Sequence, residues 1–169
     1  MNTTTDSKTF IKLFTDINSA EHAYKTALMS GYNSNDINVI MSENTKKQYF
    51  DSILVEPSKS NQVLAGAGLG GALGGLALGA LAMTLASGTE YLLPELGLIV
   101  SGPLMVGLAG VGVGCFSGGL IGALVGWGLA PEKAQLYKKG IENGGIILAT
   151  DGNHSNRQAL EQEWHKIGA

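Results

Sequence analysis

The sequence predicts an α+β chain in which a βαβ…αβα domain is split by an antiparallel pair of glycine-rich apolar helices. Three observations predict it. First, charge is excluded from the middle: no Lys, Arg, Asp, Glu or His lies between Lys59 and Glu90, or between Glu95 and Glu132. Second, strand-like alternation and helix-like spacing alternate along both polar ends. Third, 19 of the 25 glycines fall between Gly66 and Gly128, many of them four apart.

Thr9–Thr15 (TFIKLFT) has the β-branched and aromatic content of a short strand. Asn18-Ser-Ala-Glu21 then reads as a capping box, with Asn18 as N-cap and Glu21 at N3. Ala20, Ala23, Tyr24, Ala27 and Leu28 share one helical face, and Gly31 suits the stop. Ile37, Val39 and Met41 alternate as a second strand after a polar turn at Asn33–Asp36. Asn44–Ser52 is expected to be helical, and Pro57–Ser60 leads into the insert.

The insert occupies residues 61–130, with helices over about 63–87 and 98–130 and a turn at 88–97. About 20 apolar helical residues cross a ~30 Å hydrocarbon core, so both uncharged stretches are long enough to be transmembrane. The turn carries Glu90, Pro94 and Glu95. Residues 1–60 and 131–169 form the two halves of the α/β domain. Pro131 fits N1 of a helix running to about Glu142, and Glu132 suits its positive end. Gly144-Gly145 stops that helix, Ile146–Thr150 is a third strand, and Asn156–Lys166 a last helix with Leu160, Trp164 and Ile167 on its apolar face.

The glycines form rows. Gly110, Gly114, Gly118, Gly122 and Gly126 recur at i+4 in the second apolar segment. In the first, Gly66, Gly70 and Gly74 make one row, and Gly71, Gly75 and Gly79 another. Residues four apart share a helix face, so each row is a groove without side chains. Interior glycine costs a helix roughly 1 kcal/mol relative to alanine in water. In lipid, small-xxx-small rows allow close backbone packing, so these residues are the expected helix-packing positions. Lysines flank the insert and only acids occupy its turn. The positive-inside bias then puts both termini in the cytoplasm and the turn outside, with Tyr91 and Trp127 as interfacial aromatics. Trp127 packing within the bundle is the competing expectation.

Catalytic and ligand-binding patterns are weak. Net charge is −3, which argues against nucleic-acid binding by bulk positive charge. Gly66-x-Gly68-x-x-Gly71, with Glu90 further on, matches a dinucleotide fingerprint in letters but lacks its strand–turn–helix frame. His22, His154 and His165 are scattered without metal-ligand spacing. Asp151, His154 and Ser155 suit a capping turn better than a triad. Cys115, in an apolar run, reads as a small hydrophobe. The expectation is no enzyme, cofactor, metal or small-molecule substrate.

Gly31-Tyr-Asn-Ser-Asn-Asp-Ile-Asn-Val-Ile-Met-Ser-Glu43 and Tyr137-Lys-Lys-Gly-Ile-Glu-Asn-Gly-Gly-Ile-Ile-Leu148 resemble bacterial general stress proteins of the low-temperature- or heat-induced type. The resemblance covers nearly the whole chain and is most specific at Pro131-Glu132…Tyr137…Gly140…Gly144-Gly145. It implies a ferredoxin-like domain with strand order 4-1-3-2, a glycine-zipper insert at the β2–β3 turn, and no catalytic residues. Similar proteins continue into a fourth strand. Without that strand the outer edge of the first is unpaired, a pairing liability that another chain or local segment is expected to cover.

The leading functional expectation is a small membrane-embedded stress protein that homo-oligomerises through its glycine faces, beneath a cytoplasmic α/β cap at the bacterial inner membrane. Its alternatives are a soluble homo-oligomer burying the hairpins and enclosing lipid, and a pore-forming or membrane-remodelling protein. No charged ring or polar stripe lines either apolar helix, which disfavours a selective pore.

Overall fold

A computed structural model describes residues 9–50, 81, 90–93, 97–102, 119–152 and 154–167. Its strands are β1 (Phe10–Phe14), β2 (Ile37–Ser42), β3 (Glu90–Leu93), β4 (Leu98–Ser101) and β5 (Ile146–Thr150). Its helices are α1 (Ile17–Met29), α2 (Glu43–Tyr49), α3 (Gly119–Gly126), α4 (Pro131–Glu142) and α5 (Arg157–Ile167). The five strands form one sheet in the order β1-β5-β2-β4-β3, and every neighbouring pair is antiparallel.

The polar halves fold largely as their patterns predict. β5 and α4 have the expected bounds, with Pro131 in the first turn of α4. β5 lies between β1 and β2, pairing Lys12 with Leu148 on one side and Val39 with Leu148 on the other. Among the described residues no strand lies beyond β1. Helix α1 starts two residues earlier than expected. Asp16, not Asn18, is the N-cap, and its carboxylate accepts the Ser19 N–H at 2.9 Å. Gly31, at φ +92°, ends that helix in the left-handed region that favours glycine.

The insert differs from its expected form. The expected turn at 88–97 contains β3, and the expected helix over 98–130 begins as β4. Leu98-Ile-Val-Ser101 is a short apolar run bounded by Gly97 and Gly102, both at positive φ. Periodicity cannot tell such a run from a buried helical turn; β-branched content and flanking glycines favour a strand. β4 pairs with β2 through Val39–Ser101 and Met41–Ile99, and the Gly97 carbonyl accepts the Glu43 N–H at 2.9 Å. The turn is therefore part of the α/β sheet and not the far tip of a hairpin. Among the described residues the second expected helix is represented by α3, which runs from Gly119 to Gly126, before Pro131 opens α4; residues 103–118 lie outside them. Of the expected helix at 63–87 only Leu81 is described. It is helical and fully buried in the α/β core.

Alternate strand residues feed two cores, one on each face of the sheet. One unites Phe14, Val39, Met41, Ile99 and Leu148 with Ala20, Ala23, Tyr24 and Ala27 of α1, Leu160 and Trp164 of α5, Phe50 and Leu81. The other unites Ile11, Ile40, Val100 and Ile147 with Leu120 and Leu124 of α3 and Ala134, Tyr137 and Ile141 of α4. The result is three layers, helix–sheet–helix, each burying its apolar face against a neighbour. Gly145 lets α4 turn closely into β5. A Cβ there would lie 2.8 Å from the Gly140 carbonyl oxygen and 2.9 Å from that of Phe14.

Candidate functional site

Two groups of described residues lie where the insert meets the α/β domain, one on each face of the sheet. On the first face α1 presents mostly alanine, and small side chains let neighbouring elements approach closely. Among them stands Glu21, 1% exposed. Its Oε2 accepts the backbone N–H of Leu81 at 3.1 Å, and its Oε1 lies 3.6 Å from the Lys25 ammonium. A buried carboxylate is costly unless paired and hydrogen-bonded, and here it is both. The sequence marks Glu21 as a capping-box acid, so this role was missed. The available signal was its helical position: Glu21 sits beside Ala20 and three residues before Tyr24, within the buried stripe.

On the second face α3 (GLIGALVG) contains no polar side chain. Leu120 and Leu124 point into the sheet and are buried. Gly122 and Gly126, two residues from Leu120 and Leu124, fall on the opposite side of the helix by the 3.6-residue period. Among the described residues a Cβ on Gly126 would meet nothing within 4 Å. Val125 is 38% exposed, and Leu136 on the adjoining α4 is 63% exposed. The last two steps of the five-glycine row thus face outward. Trp127 is half-buried and packs on the α3–α4 core. Tyr91 does not lie at a remote tip: its backbone is in β3, opposite Val100. Gly66, Gly70, Gly71, Gly74, Gly75, Gly79, Gly110, Gly114 and Gly118 lie outside the described residues.

Polar clusters elsewhere have structural roles. His154 stacks on Tyr32 with ring centroids 3.9 Å apart, and its Nδ1 accepts the Asn156 N–H at 3.2 Å. Asn156 also donates to the Ser30 carbonyl at 2.7 Å, tying this turn to the end of α1. The Tyr32 hydroxyl and Thr150 Oγ1 are buried and unpartnered among the described residues. Burial pushes the Tyr32 phenol up, outweighing the opposing influence of nearby Thr150. A cleft of about 140 Å³ between α3 and α4 is lined by Leu98, Leu120, Ile121, Lys138 and Ile141. Pockets for drug-sized ligands span about 300–1,000 Å³.

No helix among the described residues is long and apolar enough to cross a membrane. Set against protein-family models, curated proteins and solved structures, the chain matches none.

Proposed function

We propose that this chain is a non-enzymatic, membrane-associated protein of the general stress type. In this reading its ferredoxin-like α/β domain carries glycine-rich apolar segments that attach to lipid and pack against other copies. The observation that carries it is α3. A helix without polar side chains on any face belongs inside a larger apolar assembly. Here one face is buried on the sheet, while Gly122, Val125 and Gly126 face outward. The glycine row continues in sequence through Gly118, Gly114 and Gly110, all within an uncharged run.

The attachment we favour is one-sided. Residues 103–118 join Gly102, next to β4, to Gly119 in α3, and both ends belong to one three-layer unit. As a helix, 16 residues would span about 24 Å, short of a ~30 Å core. Such a run would have to enter and leave the bilayer by the same face. The lysines of α2 and α4 support an orientation with that face toward the cytoplasmic leaflet, by the positive-inside bias. Carbonate extraction of membranes from cells making the chain tests this: retention in the pellet is expected, and release to the supernatant overturns it.

The burial of Leu81 in the α/β core favours a second reading, a closed homo-oligomer with its apolar runs inside. Size-exclusion chromatography with light scattering, without detergent, separates the two. A defined particle supports the closed form, and a detergent-dependent one supports lipid attachment.

A further inference from the structure

The hydrogen-bond register of the sheet fixes which backbone groups of β1 point away from it. The Glu43 N–H bonds the Gly97 carbonyl, in the same register that pairs Met41 with Ile99 and Val39 with Ser101. Alternate residues of a strand bond to opposite neighbours. Val39 and Met41 therefore bond towards β4, and Asn38 and Ile40 towards Ala149 and Ile147 of β5. Leu148 is left to bond Lys12, with Phe10 and Phe14 facing the same way. The N–H and C=O groups of Ile11 and Leu13 then face the outer edge, where no strand lies among the described residues. One of these groups is engaged: the Tyr137 hydroxyl of α4 donates to the Ile11 carbonyl at 3.3 Å. The Ile11 N–H and both backbone groups of Leu13 remain to receive an added strand.

We propose that this edge docks an extended acidic segment of another protein, which joins the sheet as a strand beside β1 and alternates acids with apolar residues. Charge argues for the acids. Lys12 stands on one face of the sheet, where its ammonium donates to the Trp164 carbonyl. Lys133 stands on the other, its ammonium 5.6 Å from the centre of the Tyr137 ring. Burial, and then the Lys133 charge, hold the Lys12 amine below the usual lysine range. An acid on the added strand relieves that repulsion. A lysine on an edge also discourages unselective pairing, so neutral and basic strands are disfavoured. The surface of α4 argues for the apolar residues. Leu136, one helical turn before Gly140, is 63% exposed, and Gly140 lies against the half-buried Leu13 side chain. Every second side chain of an added strand falls on this face. A second copy fits the edge less well. Full overlap of two β1 strands sets Lys12 directly opposite Lys12, and like charges so placed destabilise a pair. The docking involves no lipid and stands apart from the membrane attachment proposed above.

The test adds a labelled peptide of alternating Glu and Val to the full chain and follows binding by fluorescence anisotropy. Amide exchange at Ile11 and Leu13 is read with and without the peptide, and a peptide of alternating Lys and Val is the control. Leu13→Pro removes an N–H that β5 does not use, at an edge position where proline is tolerated. Lys133→Glu reverses one charge at an exposed site and covers the case in which Leu13→Pro does not fold. The Glu–Val peptide is expected to bind and to slow exchange at both amides, and the Lys–Val peptide to leave them unchanged. Leu13→Pro is expected to weaken binding by roughly tenfold, the loss of one hydrogen bond, and Lys133→Glu to weaken it several-fold. No binding of the Glu–Val peptide, or equal binding of the two peptides, overturns the proposal. Unchanged affinity in the folded variants overturns the placement at β1. Slow exchange at both amides before peptide is added shows an edge already covered, which also overturns it; light scattering then tells a second copy from a segment of the same chain.

Discussion

The indole Nε1 of Trp164 donates to the Ala23 carbonyl at 2.9 Å, locking α5 onto α1 through a fully buried side chain. The ring also stacks, tilted, on Phe10 at 5.1 Å and meets the edge of Phe14 at 5.6 Å. One residue thereby joins α1, α5 and the edge strand β1. Removing it should cost more than any other single truncation in this layer. Trp164→Ala is expected to destabilise the fold by about 3–5 kcal/mol. Trp164→Phe keeps most of the ring area and loses the hydrogen bond, so it should cost much less. Urea unfolding followed by circular dichroism measures both, and equal losses would sink this assignment.

Asp16 links stability to acid. Hydrogen bonds from Ser19 hold its carboxyl below the usual carboxylate range. A depressed folded value means the contribution is complete above the unfolded value, near 3.9, and fades as pH falls through the folded one. The group is exposed, so solvent screens much of the electrostatic part. Asp16→Ala should cost about 1 kcal/mol at neutral pH, the ordinary loss of an N-cap. The difference between parent and variant should shrink as pH falls below 4. Melting curves across pH 3–7 check it, and a gap that widens in acid contradicts it.

Gly145 has backbone on two sides, and neither carbonyl can step aside as a side chain could. Gly145→Ala is therefore expected to destabilise by at least about 2 kcal/mol, the size of a strained backbone substitution. Gly140 is a milder case, because an added Cβ there meets the Leu13 side chain, which can move. Paired denaturation curves for the two alanine variants should rank Gly145 as the costlier.

Gly126 separates fold from assembly. Its Cβ position is open among the described residues and its backbone is helical, so Gly126→Ala should leave the α/β domain intact or stabilise it by up to about 1 kcal/mol. If the outward glycine row packs on another copy, Gly126→Leu should weaken self-association at unchanged circular dichroism. Light scattering over a concentration series reads this, and unchanged association removes Gly126 from the interface.

The polar halves were legible because each element carries a period and a terminator. Ile37, Val39 and Met41 alternate before Ser42 caps α2, and Pro131 and Gly144 bracket α4. The insert was less legible because Leu98–Val100 satisfies helix and strand templates alike, and its identity as a strand depends on β2 lying beside it. The glycine rows at Gly122 and Gly126 could be placed on one helix side from spacing alone, but their outward direction required Leu120 and Leu124 to find the sheet. Glu21 escaped notice because an acid three residues after Asn18 has a ready local explanation. Its actual partner lies 60 residues away.

The central place of β5 has a consequence for synthesis. β1 and β2 do not touch; both are held by a strand that leaves the ribosome about 100 residues after β2. Loop closure over that distance adds slowly growing entropy, but the partner must first exist. The whole glycine-rich stretch is therefore translated while the sheet that anchors its ends is still incomplete. Whatever receives apolar chain at that moment, a bilayer or a chaperone, acts before the domain can claim it. The order in which the ribosome delivers the strands gives that receiver the first choice.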